Sequence, residues 1–265
     1  MFFVLQKEKK DLDDIDLITL KLQLDSTRIS NEYTYMNLEE ISSAHFRGED
    51  IAIPVGSIPF VEGFLKNIKN IPHINPIEIP EILRTNEFLL RKYQILEKKE
   101  LFPLHGYYFV KYASRLKELS HLRDIDQLKY VDDFSDEPFL KDGLYVVSQV
   151  KDILAEYRVF VINDKIEAIQ FYDGYPTVMP SPIEIKKLEK MVGIYSTDIY
   201  RPKAYTMDIA ITKENNEYGR DLMILEVHSF SSVGLYGYDS KKLPMAYKLG
   251  FDYYLQNNKP LKRFV

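Results

Sequence analysis

The strongest constraint on this chain lies between residues 205 and 227, where two strand-like runs face each other across a polar loop. Tyr205 to Ile211 and Leu222 to Val227 are rich in β-branched and long apolar residues, and such a pair reads as an antiparallel hairpin. Alternate residues of a strand share a face. Thr206, Asp208 and Ala210 therefore lie on one side of the first strand, while Leu222, Ile224, Glu226 and His228 share one side of the second. With the loop centred near Glu217, Asp208 falls opposite Glu226. Side chains so placed stand about 4.5–5.5 Å apart at Cβ, and two carboxylates there repel unless a cation lies between them. A divalent ion such as Mg²⁺, held by one or two carboxylates and completed by phosphate oxygens and water, resolves the conflict. A solvent-exposed face, or an Arg or Lys that neutralises the acids, accounts for the same residues. The following segment, Ser229 to Gly237, is small, flexible and aromatic, as in a loop that lines a site.

The rest of the chain has ample material to surround such a hairpin. Its 265 residues allow one large domain or two packed ones, and 45% hydrophobic with 28% charged residues is a globular mixture. The net charge of −5 is spread in alternating signs, which argues against a nucleic-acid partner. The C-terminal Lys259, Lys262 and Arg263 read as a solvated tail. Cysteine is absent, so disulfides, thiol nucleophiles and thiolate metal sites are excluded. No apolar run approaches the ~20 residues of a membrane helix, and Met1 to Leu5 is too short for a signal core. A cytoplasmic protein is the expectation. The 20 tyrosines and 15 phenylalanines could stack bases, but they alternate within strand-like runs and read as core or sheet face.

Along the chain, the first ~50 residues give weak strand signals such as Leu17 to Leu20. Ile51 to Val55 reads as a short buried strand, and Ser57 as the cap of a helix with Phe60, Phe64, Leu65 and Ile68 on one face. That helix start is also a candidate anion site. Pro72, Pro76 and Pro80 make residues 70–82 an extended connector, which sets a boundary near residue 85. Beyond it, Asn86 caps a predicted helix to about Lys99, with Phe88, Leu89, Tyr93 and Leu96 inward. From Tyr107 the pattern changes to strands: 107–111, 144–150, and 156–162 joined to 166–171 through an Asn163-Asp164 turn. Ser181, Pro182 and Glu184 form a capping box that starts a helix reaching Tyr195. The order is mixed α+β and lacks the regular alternation of a Rossmann domain.

Three further groups could carry chemistry. Lys111 ends an aromatic strand, where it either snorkels or sets a point charge against nucleotide phosphates. Ser148-Gln149-Val150 closes the next strand and offers backbone groups to a base edge. Glu156 and Arg158 share a strand face, either as a surface ion pair or as a ribose acceptor and a cation for a phosphoryl group.

In this order and spacing, Phe109-Val110-Lys111, Val146 to Val150, Glu156 to Val161, Tyr205 to Asp208 and Leu225 to His228 with Gly234 to Gly237 resemble the ATP-grasp superfamily, in one of its clades. The resemblance covers roughly residues 85–240. It implies an α+β, ATP-grasp-like fold, with two α+β subdomains holding ATP between them. A small N-terminal α/β module over 1–84 would precede a nucleotide-binding and catalytic region over 85–265. It also implies Lys92 and Lys111 at the phosphates or adenine, the Gln149–Val150 backbone at the adenine edge and Glu156 at the ribose. Arg158 would face the γ-phosphate or an acyl phosphate, and Asp208 and Glu226 would hold Mg²⁺. Phosphoryl transfer, which needs positioning and charge neutralisation more than a protein nucleophile, suits such a set. His228 stands where the family has Asn, which opens the site to Mn²⁺. The segment after Lys111 lacks the glycines of the usual phosphate lid, with Arg115 and Lys117 in their place.

The expected activity is ATP-dependent ligation of a carboxylate to an amine or another nucleophile through an acyl phosphate. The acceptor could be a metabolite, a peptide or a protein. A kinase acting on another acceptor, a non-catalytic nucleotide sensor and a single-strand nucleic-acid binder are the alternatives.

Overall fold

The computed structural model describes residues 1–7, 15–26, 32–43, 52–69, 71, 74, 77–113, 120–124, 142–214 and 216–257. Three sheets organise them. The first is parallel, in the order β2-β1-β3, from β1 (Phe2–Gln6), β2 (Glu32–Met36) and β3 (Ala52–Val55). Its helices are α1 (Ile15–Ser26), α2 (Leu38–Ser43) and α3 (Ile58–Lys69). Parallel neighbours need a crossover, and α1 supplies the first one. The strand expected at Leu17 to Leu20 is therefore corrected to helix. Leu17, Leu20 and Leu24 recur at helical spacing, with Leu20 and Leu24 buried, and four residues are too few to separate the two periods. The short buried strand near Ile53 and the helix burying Phe60, Phe64 and Leu65 appear as expected. The side chain of Ile68 lies outside the described residues, as do Pro72, Pro76, Arg115, Lys117, Lys259, Lys262 and Arg263.

The connector ends in a 3₁₀ turn at Glu81–Leu83, followed by the single-turn α4 (Asn86–Leu89). The predicted helix to Lys99 stops there. Leu90 turns left-handed (φ 49°), and Tyr93–Glu97 form β4 instead, paired antiparallel with β7. Thr85, not Asn86, is the N-cap residue. Pairing with β7 supplies the backbone hydrogen bonds that a longer helix would have made within itself, a tertiary override of local preference.

The second sheet is antiparallel, in the order β4-β7-β5-β6, with β5 (Tyr107–Tyr112), β6 (Ser120–Asp124) and β7 (Leu144–Gln149). The short α5 (Lys98–Leu101) buries Leu101 against Val110, Tyr145 and Val147. The third sheet runs β11-β10-β8-β9, from β8 (Ile153–Ile162), β9 (Lys165–Gly174), β10 (Ala204–Lys213) and β11 (Arg220–Ser229). Asn163 and Asp164 both take positive φ, 48° and 65°, as their two-residue turn requires.

One face of the third sheet is sealed by α6 (Pro182–Tyr195), which buries Leu188, Met191, Val192 and Tyr195 on Tyr157, Val159, Met207, Ile209 and Ile224. Its capping box is complete: Ser181 Oγ accepts from Glu184 N–H at 3.4 Å and a Glu184 oxygen accepts from Ser181 N–H at 2.6 Å. The end of the other face joins the core of the first sheet. There Phe160, Ile162 and Ala204 meet Phe3, Leu5, Phe60 and Phe64 through α7 (Leu243–Gln256), which contributes Ala246, Tyr247 and Phe251. What remains of that face carries the polar residues of the site. Among the described residues no helix is long and apolar enough to cross a membrane.

Candidate active site

The third sheet brings three charged residues side by side. In register, Asp208 on β10 stands opposite Glu226 on β11 and opposite Arg158 on β8, with a bulge after Asp208. Arg158 grips Asp208 with two hydrogen bonds, Nε to Oδ1 at 2.8 Å and Nη2 to Oδ2 at 2.7 Å. The pair is deep, with Asp208 1% and Arg158 9% exposed. Burial works against the guanidinium charge, but the hydrogen bonds and charge of Asp208 outweigh it and raise the Arg158 pKa. Nη1 donates to the Gly234 carbonyl at 3.2 Å. The rings of Tyr172 and Tyr236 stack on each other, with centroids 5.1 Å apart, and both lie near the same guanidinium, at 5.8 and 5.1 Å.

Beside this cluster opens a cavity of about 360 Å³, lined by residues from the second sheet, the third sheet and the connector. Lys111 is 7% exposed within it. Its Nζ lies 3.1 Å from Glu226 Oε2 and 3.3 Å from Glu78 Oε1. Burial opposes the ammonium, but those two carboxylates reverse the effect and raise its pKa. Burial likewise opposes the Glu226 charge, yet His228 and Lys111 hold its pKa well below the usual carboxylate range. His228 Nε2 is 2.7 Å from Glu226 Oε1. Glu156 accepts from the Tyr172 hydroxyl at 2.5 Å, and burial raises its pKa despite that bond.

Asp208, Glu226 and His228 present one oxygen, one oxygen and one nitrogen, all within 4.8 Å of one another. The Thr206 hydroxyl, on the same face as Asp208, is fully buried with no hydrogen-bond partner among the described residues. A buried polar atom without a partner marks a place for water or an ion. The donor set therefore fits a divalent cation. Electrostatics point the same way. Lys111 is paired with Glu226 and Glu78, Arg158 with Asp208, and Lys151 with Glu214 at 2.6 Å. An anion entering the cavity would meet lysines already paired with carboxylates and the Arg91 guanidinium held by main-chain carbonyls, and a divalent ion would add to the positive charge available to it. Of the explanations for the opposed acids, neutralisation by protein cations is what the side chains show, with Arg158 on Asp208 and Lys111 on Glu226, and their geometry also fits a metal ligand set.

The sequence over residues 88–245 matches the model of an ATP-grasp domain, the second family of its clade. The chain belongs to that ATP-grasp family. Solved structures of the same fold include the D-alanine–D-alanine ligase of Bacillus anthracis complexed with ATP, with 14% identity, TM-score 0.50, and 97% of this chain and 96% of that one covered. A RimK domain ATP-grasp protein from Sphaerobacter thermophilus gives 10% identity and TM-score 0.52 over 96% and 99%. The N5-carboxyaminoimidazole synthetase of Staphylococcus aureus gives 10% and 0.53 over 94% and 77%. No curated relative matches the sequence.

In this ATP-grasp protein Lys111, Gln149, Val150, Glu156 and Glu226 line the cavity, and Arg158, Asp208 and His228 adjoin it. Lys92 does not line it. That side chain is exposed, and its carbonyl accepts from Gln149 N–H at 2.9 Å. Its neighbour Arg91 faces the cavity instead. Arg91 is held by main-chain carbonyls, Ile224 at 2.7 Å and Leu89 at 3.2 Å, and burial lowers its pKa to about 10. A strand lead-in reverses side at each residue, so treating 86–99 as helix hid the choice between Arg91 and Lys92. Glu78, on the connector at φ 56° and 8% exposed, was also missed. A lone acid among prolines gives no periodic signal. Tyr172 and Tyr236 were legible only as two among many aromatics.

Proposed function

We propose that the protein is an ATP- and Mg²⁺-dependent ligase that activates a carboxylate as an acyl phosphate and joins it to an amine or another nucleophile. The γ-phosphoryl group moves from the ADP oxygen to a carboxylate oxygen. A neutral amine then attacks the acyl carbon. A C–N bond forms, the C–O bond to phosphate breaks, phosphate leaves and the nitrogen gives up a proton. The observation that carries this reading is the row of Arg158, Asp208 and Glu226 across three adjacent strands, beside a cavity that Lys111 and the Ser148–Val150 strand end also line.

In this reading Lys111 and Arg91 bind phosphate oxygens, and the Gln149–Val150 backbone meets the adenine edge. Glu156 takes the ribose, and Arg158 neutralises charge on the transferring phosphoryl group. Asp208 and Glu226 would hold Mg²⁺, with His228 extending the choice to Mn²⁺. The ion would supply charge neutralisation at the phosphates. Residues 1–84 would form a lead-in module on the acceptor side that lends Glu78 to the nucleotide site, and 85–265 would carry the rest of that site.

A thermal-shift titration with ATP, ADP and GTP, each with and without Mg²⁺, tests the reading. At 100 times its Kd, a ligand that binds only the native state adds about 2.7 kcal/mol. Stabilisation by ATP should require Mg²⁺ and vanish in Glu226→Gln. No shift with any nucleotide would remove the reading, and so would full turnover by Asp208→Asn.

A further inference from the structure

The connector sends one acid into the nucleotide cavity. Glu78 lines it, is 8% exposed, and holds a backbone φ of 56°, a left-handed conformation uncommon for glutamate. Strain of that kind persists where the surroundings over-determine it, and it gathers at ligand sites. Glu78 also lies outside residues 88–245, the span that matches the family model, so no role comes to it from there. Its two oxygens are differently placed. Oε2 lies 3.5 Å from the Tyr93 hydroxyl. Oε1 faces Lys111 Nζ at 3.3 Å but, although buried, makes no hydrogen bond among the described residues. Of the buried side-chain polar atoms in that condition, it alone belongs to a residue that lines this cavity. An ionised carboxylate only accepts, so what this oxygen lacks is a donor.

The surroundings of Glu78 narrow the choice of donor. In register, Tyr93, Ser148 and Phe109 form a row across β4, β7 and β5, and all three line the cavity. Ser148 directly precedes the Gln149–Val150 strand end, so Glu78, beside the Tyr93 hydroxyl, stands toward the base rather than beyond the phosphates. Phe109 and Val146 from the second sheet, with Met223 and Leu225 from the third, give the cavity apolar walls suited to a flat ring.

The phosphates of Mg-ATP are acceptors at neutral pH. Its donors are the N–H bonds of the adenine 6-amino group and the ribose hydroxyls. In the ligase reading Glu156 takes the ribose and the strand-end backbone takes one N–H of the amine, which leaves the second N–H. We propose that Glu78 is a specificity-determining residue, whose carboxylate accepts that second N–H and turns away a purine with oxygen in its place. Guanine presents just such an oxygen, O6, where adenine carries its amine, and a carboxylate repels it. The inference rests on the ligase reading and adds to it the side chain that selects the base.

Calorimetry with Mg²⁺ on wild type, Glu78→Ala and Glu78→Gln tests this. The probes are ATP, purine riboside triphosphate (hydrogen in place of the 6-amino group), inosine triphosphate (oxygen in its place) and 2′-deoxy-ATP. Wild type should bind ATP at least about tenfold more tightly than the purine riboside and inosine forms, as expected for a hydrogen bond to a charged group. In Glu78→Ala the ratio of ATP to the purine riboside form should fall to about one. Glu78→Gln keeps the size of the side chain, and its amide can donate to an oxygen, so the inosine form should gain on ATP by at least about tenfold. The preference between ATP and 2′-deoxy-ATP should be the same in all three proteins. If Glu78 served only to place Lys111 or to pack the connector, its loss would weaken every probe alike and leave the ratios unchanged. That result would overturn the proposal, as would a wild type indifferent to the 6-amino group, or a Glu78 effect that follows the 2′-hydroxyl instead. A wild type that binds none of the probes would strike the ligase reading itself, and this inference with it.

Discussion

Arg158 and Asp208 are buried together, and each would be a bare charge without the other. Removing one partner of such a pair typically costs about 3–5 kcal/mol, whereas removing both is far milder. Arg158→Met should therefore lose about 3 kcal/mol in urea unfolding, and Arg158→Met with Asp208→Asn should recover most of that loss while remaining inactive. Additive losses in the double variant would refute the coupling. The opposed acids were legible because the strand period is two and the loop centre was read correctly. The partner of Arg158 was not. Glu156 shares its face two residues away, but the cross-strand position is nearer, so the fork goes to Asp208 and Glu156 turns to the Tyr172 hydroxyl. Only the sheet order, with β10 between β8 and β11, could have shown this.

Single elements were readable where local chemistry decides them. The capping box at Ser181 and the turn at Asn163-Asp164 depend on neighbouring residues alone, and both formed as expected. β4 and α1 were misread because their periods are short or degenerate and the decision came from partners distant in sequence. The turn also acquires a tertiary tie. Arg201 binds Asp164 with a fork, Nε to Oδ1 at 2.7 Å and Nη2 to Oδ2 at 2.5 Å. Hydrogen bonding to Arg201 lowers the Asp164 pKa against the effect of burial. The stability it adds is present above the unfolded carboxylate pKa of about 3.9 and is lost as pH falls through the lower folded value. Asp164→Asn keeps the left-handed turn and removes the charge together with one of the two acceptors of the fork. It should cost about 0.5–1 kcal/mol at pH 7, given the pair's partial exposure, and nearly nothing near pH 2. Paired denaturation curves at the two pH values check the sign.

At the scale of the molecule, α7 is the part that makes one body of the first and third sheets. It packs on β3 and β10, and at Gly250 its backbone comes close to that of Phe230, just beyond β11. A Cβ there would lie 2.2 Å from the Phe230 carbonyl oxygen, so the backbone itself would have to yield. Gly250→Ala should lose about 1–3 kcal/mol by overpacking and loosen the loop from Phe230 to Gly234, read as faster hydrogen exchange there. An unchanged melting temperature would show that α7 can shift without cost. The same helix sets an order of events during synthesis. The core that Phe3 and Leu5 enter is closed by Tyr247 and Phe251, which are synthesised more than two hundred residues later. Contacts so far apart in sequence form slowly and leave apolar surface uncovered in the meantime. The first sheet is thus synthesised before the other two and closed after them, and its apolar faces are open to aggregation until α7 arrives.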